Sequence, residues 1–231
     1  MFTSFKTAIL NHHATTPPCD GPVIQTLRRA NFDHAEAEIS SWGGYGETPL
    51  LDLLGLAENL GLRDLRYKHE GPRFGLGSFK ALGGAYAVLR TVQRELSRSI
   101  GHMPDPAGVR SGHYAAQTKK ITVISATDGN HGRSVAWGAA QFHTNCRIYI
   151  HADVSEHRAD VMRNLGAEVI RVDGDYDATV AQTRADAEKN GWLIVSDTSW
   201  PGYTQPPLDV MAGYGWPLYT SAPGHDEASR E

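Results

Sequence analysis

Short apolar runs alternate with longer, more polar segments through the second half of the chain. Four of the runs are rich in β-branched residues and predict strands: residues 121–126, 147–151, 167–172 and 192–197. The segments between them predict helices: residues 129–142, the stretch from the cap Ser155 to Gly166, and residues 175–190. Strands that alternate with helices of this length are typical of an α/β fold, with a parallel sheet covered by helices.

The first half has a less regular pattern. Thr48 and Pro49 predict the start of a helix that ends near Gly61, because Thr is a common N-cap and Pro suits the first helical position. Other segments predict a short helix at residues 23–30, a strand at residues 65–70 and a surface loop at residues 99–117. After Asp197 the pattern becomes turn-rich. A helix can begin at DVMAGYGW, and a disordered polar tail is expected from residue 217.

Residues 74–86, FGLGSFKALGGAY, place a lysine at the mouth of an apolar helix. Ser78 can cap this helix, which is expected to run to about Ser97. One face of it has apolar residues at helical spacing: Phe79, Leu82, Tyr86 and Leu89. Desolvation at the helix mouth would favour a neutral, nucleophilic amine on Lys80. The alternative is a surface lysine that extends from an amphipathic helix into solvent.

The strand at residues 121–126 leads directly into Thr-Asp-Gly-Asn-His-Gly, which begins the next helix. A helix N-terminus carries unpaired N–H groups and partial positive charge, so it can bind a carboxylate or a phosphate. Asp128 is unusual here because it would repel an anion, which suggests a proton-transfer role or pairing with a substrate cation. Alternatively, Asp128 only holds an Asx turn. His131, taken alone, is more often structural than catalytic.

The composition argues against several classes of function. The 231 residues carry a net charge of −4, which gives no support for binding nucleic acid or an anionic membrane. Cys19 and Cys146 are far apart and lack metal-ligand spacing, which fits a reducing compartment. No apolar run is long enough to span a bilayer, and the first residues do not resemble a secretory signal. We therefore expect a cytoplasmic protein.

Two motifs carry a specific resemblance. GSFKALGGAYAV resembles the cofactor-lysine segment of the tryptophan-synthase-β-like family of pyridoxal-phosphate enzymes, also called fold type II. ATDGNHGRSVAWGAA resembles the asparagine loop of that family and the helix that follows it. Within the family, three features together resemble the ammonia-lyases that act on 2,3-diaminopropionate. They are Asp128 before Gly-Asn-His-Gly and the stretches RFGLGSFK and DTSWPGYTQPPLDVMAGY. Dehydratases and cysteine synthases of the family commonly carry Ser or Thr at that position.

The resemblance implies a function and a set of residue roles. The expected reaction is α,β-elimination of 2,3-diaminopropionate to pyruvate and ammonia, with pyridoxal 5'-phosphate as cofactor. Lys80 would bind the cofactor aldehyde covalently and take the Cα proton of one substrate enantiomer, while Asp128 would take that of the other. Asn130 would bond the ring hydroxyl oxygen of the cofactor. The substrate-binding positions would be Thr127, Gly129, His131, Tyr176 and Asp197. The alternatives are a serine or threonine dehydratase-like enzyme and a non-catalytic member of the family.

The resemblance also implies an organisation into three parts. Residues 1–85 would begin the larger, cofactor-binding domain, residues 86–199 would form a smaller α/β domain, and residues 200–231 would be a truncated return segment with a polar tail. The glycine-rich phosphate loop of the family is not visible in the sequence. We therefore expect an incomplete larger domain and little or no turnover by the 231-residue chain alone. A small amino acid is the expected substrate, and a homodimer is the usual assembly of the family.

Overall fold

Helices and short strands alternate along the part of the chain that the structure describes. A computed structural model describes residues 28–220, with the backbone alone for residues 216–220. In chain order the elements are α1 (Arg29–Ser40), β1 (Leu50–Asp52), α2 (Leu54–Leu60), β2 (Arg66–Lys68), a 3₁₀ turn (Arg73–Gly75), α3 (Lys80–Ile100), α4 (Pro106–Arg110), α5 (Ala115–Thr118), β3 (Thr122–Ala126), α6 (Asn130–Gln141), β4 (Asn145–Ile150), α7 (Glu156–Asn164), β5 (Glu168–Arg171), α8 (Tyr176–Asn190), β6 (Leu193–Ile194) and α9 (Gln205–Thr220).

The main sheet is parallel and has the order β5-β4-β3-β6, which confirms the predicted α/β class. Its helices begin and end where the sequence indicates. Ser155 caps α7, and the Asp175 side chain accepts the N–H of Ala178 at the start of α8. Gly191 ends α8 in the left-handed conformation, with φ of 69°. The last predicted strand is shorter than expected, although the N–H of Val195 still donates to the sheet.

Helix α3 lies at the centre of the molecule and packs against α6 and α9. Residues 81–89 are all buried, so the first half of the helix is enclosed on every side rather than on one face. Small residues make this enclosure possible, since a Cβ on Gly84 would lie 2.5 Å from Ser134 Oγ. The predicted apolar face is wrong at Phe79, which precedes the enclosed segment and is 48% exposed. The helix ends at Ile100, three residues later than predicted.

Several predictions for the first half are wrong. Residues 50–52 form β1, paired antiparallel with β2, and the helix begins only at Leu54. Thr48 does not cap it, because its hydroxyl donates to the Glu70 carboxylate instead. Helix α1 spans Arg29–Ser40 and overlaps the predicted helix at residues 23–30 only in its last two positions. Residues 23–27 lie outside the described part of the chain.

The predicted surface loop at residues 99–117 contains α4 and most of α5. Asp105 is the N-cap and Pro106 the first residue of α4. This pair is a helix-start signal, but a helix this short shows no apolar periodicity in the sequence. Residues 217–220 belong to α9 rather than to a disordered tail, while the rest of that tail and Cys19 lie outside the described residues. The predicted domain boundary at residues 85 and 86 falls within α3. Between residues 28 and 220, no helix is long and apolar enough to cross a membrane.

Candidate functional site

The predicted site residues gather where the strands of the parallel sheet end and α3 begins. Lys80 is the first residue of α3, and Phe79 rather than the predicted Ser78 is its N-cap residue. Ser78 Oγ still accepts the backbone N–H of Lys80 at 3.2 Å. Asp197 follows β6 at the carboxyl edge of the sheet, where α/β folds commonly bind ligands. Lys80 Nζ lies 2.8 Å from Asp197 Oδ2, with the lysine side chain 34% exposed. The amine is therefore ion-paired and accessible, at a partly buried helix mouth as the sequence suggested.

His131 lies behind this ion pair. Its Nε2 is 3.0 Å from the backbone oxygen of Val195, which can only accept, so we place the ring proton on Nε2. Nδ1 is buried, has no hydrogen-bond partner among the described residues, and lies 3.8 Å from Asp197 Oδ2. Burial lowers the pKa of His131, and the nearby ammonium of Lys80 lowers it further, against the opposing effect of Asp197. The ring is therefore held neutral, with its unprotonated nitrogen toward the carboxylate.

Asp197 connects the two groups electrostatically. Burial alone would raise the pKa of its carboxyl, but the net shift is downward, and the hydrogen bond and positive charge of Lys80 contribute to it. The carboxylate thus stays charged and bonded to the amine at neutral pH. Lys80, His131 and Asp197 come from three distant parts of the chain and form one connected cluster.

The loop between β3 and α6 has a fixed conformation. Thr127 Oγ1 accepts the N–H groups of Gly129 at 3.1 Å and Gly132 at 3.3 Å. A Cβ on Gly132 would lie 2.3 Å from the Thr127 methyl carbon, so only glycine allows this close approach. Thr127 is therefore buried and supports the loop from within, while Gly129 supplies backbone at the start of α6.

Asp128 and Asn130 are exposed on the outer side of the same loop. The backbone oxygen of Asp128 accepts a hydrogen bond from Arg158 Nη1 at 3.1 Å. A polar cavity of about 300 Å³ adjoins these residues and is lined by Asp128, Gly129, Asn130, Arg133, His157, Arg158 and Val161. The structure thus brings Asp128, Gly129 and Asn130 together beside an open, largely polar space.

Tyr176 is the first residue of α8 and is exposed, whereas the sequence suggested a loop position. Burial of part of the ring raises the pKa of its hydroxyl, and the carboxylates of Asp197 and Asp128 raise it further. Tyr176 therefore lies in the electrostatic field of both carboxylates and carries a neutral hydroxyl. This position links the Asp128 side of the site with the Lys80 side.

A buried ion pair that the sequence analysis missed supports the approach to Lys80. Arg73 Nε lies 2.8 Å from Glu70 Oε2, with both side chains buried. Arg73 also donates to Thr48 Oγ1 at 3.1 Å and to the backbone oxygen of Gly46. The spacing of Glu70 and Arg73 around Gly-Pro was the available signal, but a charged pair three residues apart is usually a solvated one. Here it ties residues 46–48 to the segment that leads into α3.

Comparisons with known proteins agree with this geometry. A family model described as "Pyridoxal-phosphate dependent enzyme" matches residues 42–218. Diaminopropionate ammonia-lyase of Escherichia coli K12 is 40% identical over 176 residues, which cover 74% of this chain and 42% of that protein. A probable D-serine dehydratase of Bacillus mycoides is 26% identical over 174 residues, which cover 70% of this chain and 39% of that protein.

The fold of the chain also resembles that of a solved relative. The crystal structure of Escherichia coli diaminopropionate ammonia-lyase in complex with D-serine has a TM-score of 0.73 and 38% identity, covering 82% of this chain and 47% of that one. The chain thus spans less than half the length of these three relatives. The fold agrees with the expected fold type II. Because the family match takes in the Lys80 helix, the Thr127 loop and Asp197, the chain belongs to the family of pyridoxal-phosphate-dependent enzymes.

Proposed function

We propose that the chain contributes to a pyridoxal-phosphate-dependent ammonia-lyase that converts 2,3-diaminopropionate and water to pyruvate, with both nitrogens released as ammonia. The observation that carries this proposal is the cluster of Lys80, Asp197 and His131, with an accessible amine 2.8 Å from a carboxylate. The similarity to diaminopropionate ammonia-lyase suggests the substrate. By resemblance, Asp128 distinguishes such a lyase from the dehydratases of the family, which commonly carry Ser or Thr at this position.

The residues present fit the reactive end of the cofactor. An aldehyde needs an accessible primary amine with a base beside it, which Lys80 and Asp197 supply. Asn130 is exposed at the start of α6, where it can bond the ring hydroxyl oxygen of the cofactor. When bound, pyridoxal phosphate supplies an electron-withdrawing ring that stabilises negative charge at the substrate Cα.

Lys80 must give up a proton before its amine can act as a nucleophile or a base. Asp197 Oδ2 is bonded to Nζ and is the nearest acceptor, and His131 Nδ1 lies beyond it at 3.8 Å. These groups can accept a proton from the amine and hold it beside the site. A general base in such a position typically contributes about 10²–10⁴-fold to a rate.

The remaining predicted residues orient the substrate. The loop of Thr127, Gly129 and His131 presents a helix N-terminus to the substrate carboxylate. Asp128 takes the Cα proton from the enantiomer whose proton faces away from Lys80. Tyr176 contributes a neutral hydroxyl, whose pKa the Asp197 and Asp128 carboxylates both raise, and which can donate to substrate.

The same proposal covers the organisation and setting of the protein. Residues 1–85 begin a cofactor domain, residues 86–199 form a smaller α/β domain, and residues 200–231 lead back toward the cofactor domain. The free, buried thiol of Cys146 is compatible with a reducing cytoplasm. The partners are a small amino-acid substrate and, by resemblance, a second copy of the chain.

Covalent labelling tests the role of Lys80. The chain is incubated with pyridoxal phosphate, reduced with borohydride and digested for peptide mapping. We expect the reduced label on Lys80, because its amine combines exposure with an adjacent base, and we expect a Lys80→Arg variant to lose it. Lys68, whose Nζ donates to the backbone oxygen of Thr48, and the exposed Lys119 serve as internal controls. A label on either control in place of Lys80 would contradict the proposal.

Product assays separate the candidate functions. A serine dehydratase is the second candidate, favoured by the similarity to a probable D-serine dehydratase. Ammonia and pyruvate formed faster from 2,3-diaminopropionate than from either enantiomer of serine support the lyase. The reverse preference supports the dehydratase. Labelling of Lys80 without turnover of any of these amino acids agrees both with a non-catalytic member of the family and with the little or no turnover expected of the 231-residue chain alone, so the preference between substrates decides between the two enzymes.

A further inference from the structure

One buried hydroxyl beside the Lys80 helix has no part in the site described above. Tyr214 lies on α9, and its hydroxyl oxygen is buried without a hydrogen-bond partner among the described residues. Buried polar groups in folded proteins nearly always have a partner, and an unpaired one destabilises the fold. An unpaired hydroxyl next to a ligand site therefore suggests a partner that arrives with the ligand.

The crossing of α3 and α9 fixes where this hydroxyl lies. A Cβ on Gly213 would lie 2.7 Å from the Cα of Gly83, so the two helix backbones are in contact there. A Cβ on Gly83 would lie 2.4 Å from Cε1 of Tyr214. The same Cβ would lie 2.6 Å from Cδ1, so the Cδ1–Cε1 edge of the ring lies against Gly83, and the hydroxyl is bonded to the ring carbon next to Cε1.

Gly83 and Lys80 are three residues apart on a helix and therefore lie on the same face. The ring of Phe79, the residue before Lys80, meets the Tyr214 ring edge-on with a centroid distance of 5.0 Å. Tyr214 thus contacts residues on both sides of Lys80 in sequence. Burial raises the pKa of the Tyr214 hydroxyl, and the Asp197 carboxylate raises it further. The hydroxyl is consequently a neutral donor within the field of the carboxylate that pairs with Lys80.

We infer that Tyr214 is a further ligand-contacting residue of the Lys80 site, whose hydroxyl donates a hydrogen bond to an acceptor atom of the group bound there. The inference rests on the proposed function, because that function supplies the bound group, which is either the cofactor or the carboxylate of an amino-acid substrate. The unpaired hydroxyl is then a preformed donor that gains its partner on binding. Its burial at a glycine crossing keeps the ring in place.

A Tyr214→Phe variant separates this role from a structural one. The variant keeps the ring between Phe79 and Gly83 and removes only the hydroxyl. In the cofactor-free protein we expect urea unfolding to show unchanged or higher stability, because no protein hydrogen bond is lost. We expect affinity for pyridoxal phosphate, measured by titration and borohydride trapping at Lys80, to fall about tenfold, the effect of one hydrogen bond.

The matched control is Tyr86→Phe, on α3. The Tyr86 hydroxyl is 2.8 Å from His34 Nδ1, so this variant should lose stability and keep its cofactor affinity. If the Tyr214 variant binds cofactor normally, the affinity of the cofactor-loaded protein for D-serine is measured next. A loss of about tenfold there assigns the hydrogen bond to the substrate.

Two negative results are distinguishable. Wild-type affinities of the Tyr214→Phe variant for both cofactor and D-serine would overturn the inference and leave the proposed function intact. Failure of the wild-type chain to take up pyridoxal phosphate at Lys80 would overturn the proposed function, and this inference with it.

Discussion

At the scale of single residues, His131 shows how burial changes the pKa of a group that can take part in proton transfer. Its ring is almost fully enclosed, with Val195 accepting from one nitrogen and Asp197 facing the other. Burial and Lys80 favour the neutral ring, while Asp197 favours the charged one. The lowered pKa means that burial and Lys80 outweigh the carboxylate. Protonation of this residue therefore opposes folding.

The stability of the protein should depend on pH through His131. The unfolded ring titrates near its ordinary pKa of 6.5, whereas the folded ring titrates lower, so the unfolded state binds the proton first. Stability from this residue is complete above pH 6.5 and falls as the pH drops below it, by at most about 1.4 kcal/mol per pH unit. Urea unfolding of the wild type and of a His131→Gln variant, at pH 8 and pH 5.5, measures the difference.

The variant should lose less stability between these pH values than the wild type, because Gln cannot titrate. A His102→Gln variant, changed at an exposed position, should follow the wild type. Equal pH dependence in the wild type and in His131→Gln would show that the ring does not resist protonation in the fold.

Residues of the site differ in how far the sequence could predict them. Lys80 and Asp128 lie in motifs whose residues are compatible with chemistry and with a structural role, and the family resemblance decided between the two. Asp197 and Tyr176 were selected only through the family resemblance, because an acid after a strand and a tyrosine near a helix start are common in any α/β protein. The ion pair between Lys80 and Asp197 joins residues that are distant in sequence, so it depends on the sheet order and could not be read from either segment.

At the scale of elements, glycine positions decide how closely α3 meets its neighbours. Gly83 faces the backbone oxygen of Val210, which a Cβ would approach to 2.5 Å, and Gly213 lies opposite. Glycine in a helix interior normally destabilises the helix. Here the loss is offset by the close packing of α3 against α9, which brings Tyr214 to the Lys80 face.

Alanine substitutions at two helical glycines should therefore have opposite effects. Gly83→Ala should destabilise the protein, by roughly 1–3 kcal/mol, since the added methyl group meets backbone that cannot move away easily. Gly55→Ala in α2 should stabilise it by up to about 1 kcal/mol, because no atom lies within 4 Å of the new Cβ and alanine favours the helix. Thermal or urea unfolding of both variants gives the comparison. Stabilisation by Gly83→Ala would mean that α3 and α9 are not in close contact.

Helices with strong local sequence signals, such as capping side chains, were predicted most accurately. Helices α7 and α8 have capping side chains and defined ends, and they were placed within a residue or two. The signal at Thr48 and Pro49 failed because tertiary contacts overrode it: the Thr48 hydroxyl pairs with Glu70, and the chain extends into β1. A cap preference is worth about 1 kcal/mol, so a buried hydrogen-bonded cluster can outweigh it.

At the scale of the whole molecule, the described chain has a well-buried centre and a thinly covered periphery. Helix α3 is buried along most of its length, and β3 and β4 form the middle of the sheet. The segment of β1, α2 and β2 differs: α2 buries only Ala57, and Leu54 is 70% exposed. With few buried apolar contacts, this segment has little to keep it folded when the rest of the molecule fluctuates.

Native-state hydrogen exchange should reveal this difference as two levels of protection. Amides of α3, β3 and β4 should exchange only through global unfolding, so their exchange rates should rise steeply with added urea. Amides of α2 should exchange at least about tenfold faster and depend weakly on urea, because local opening exposes little surface. The outer helix α8 provides a control, since its buried Thr179 and Thr183 fix it to the sheet and predict protection closer to that of α3. If the amides of α2 followed the same steep urea dependence as those of α3, the periphery would open only with the whole molecule, and the two-level description would be wrong.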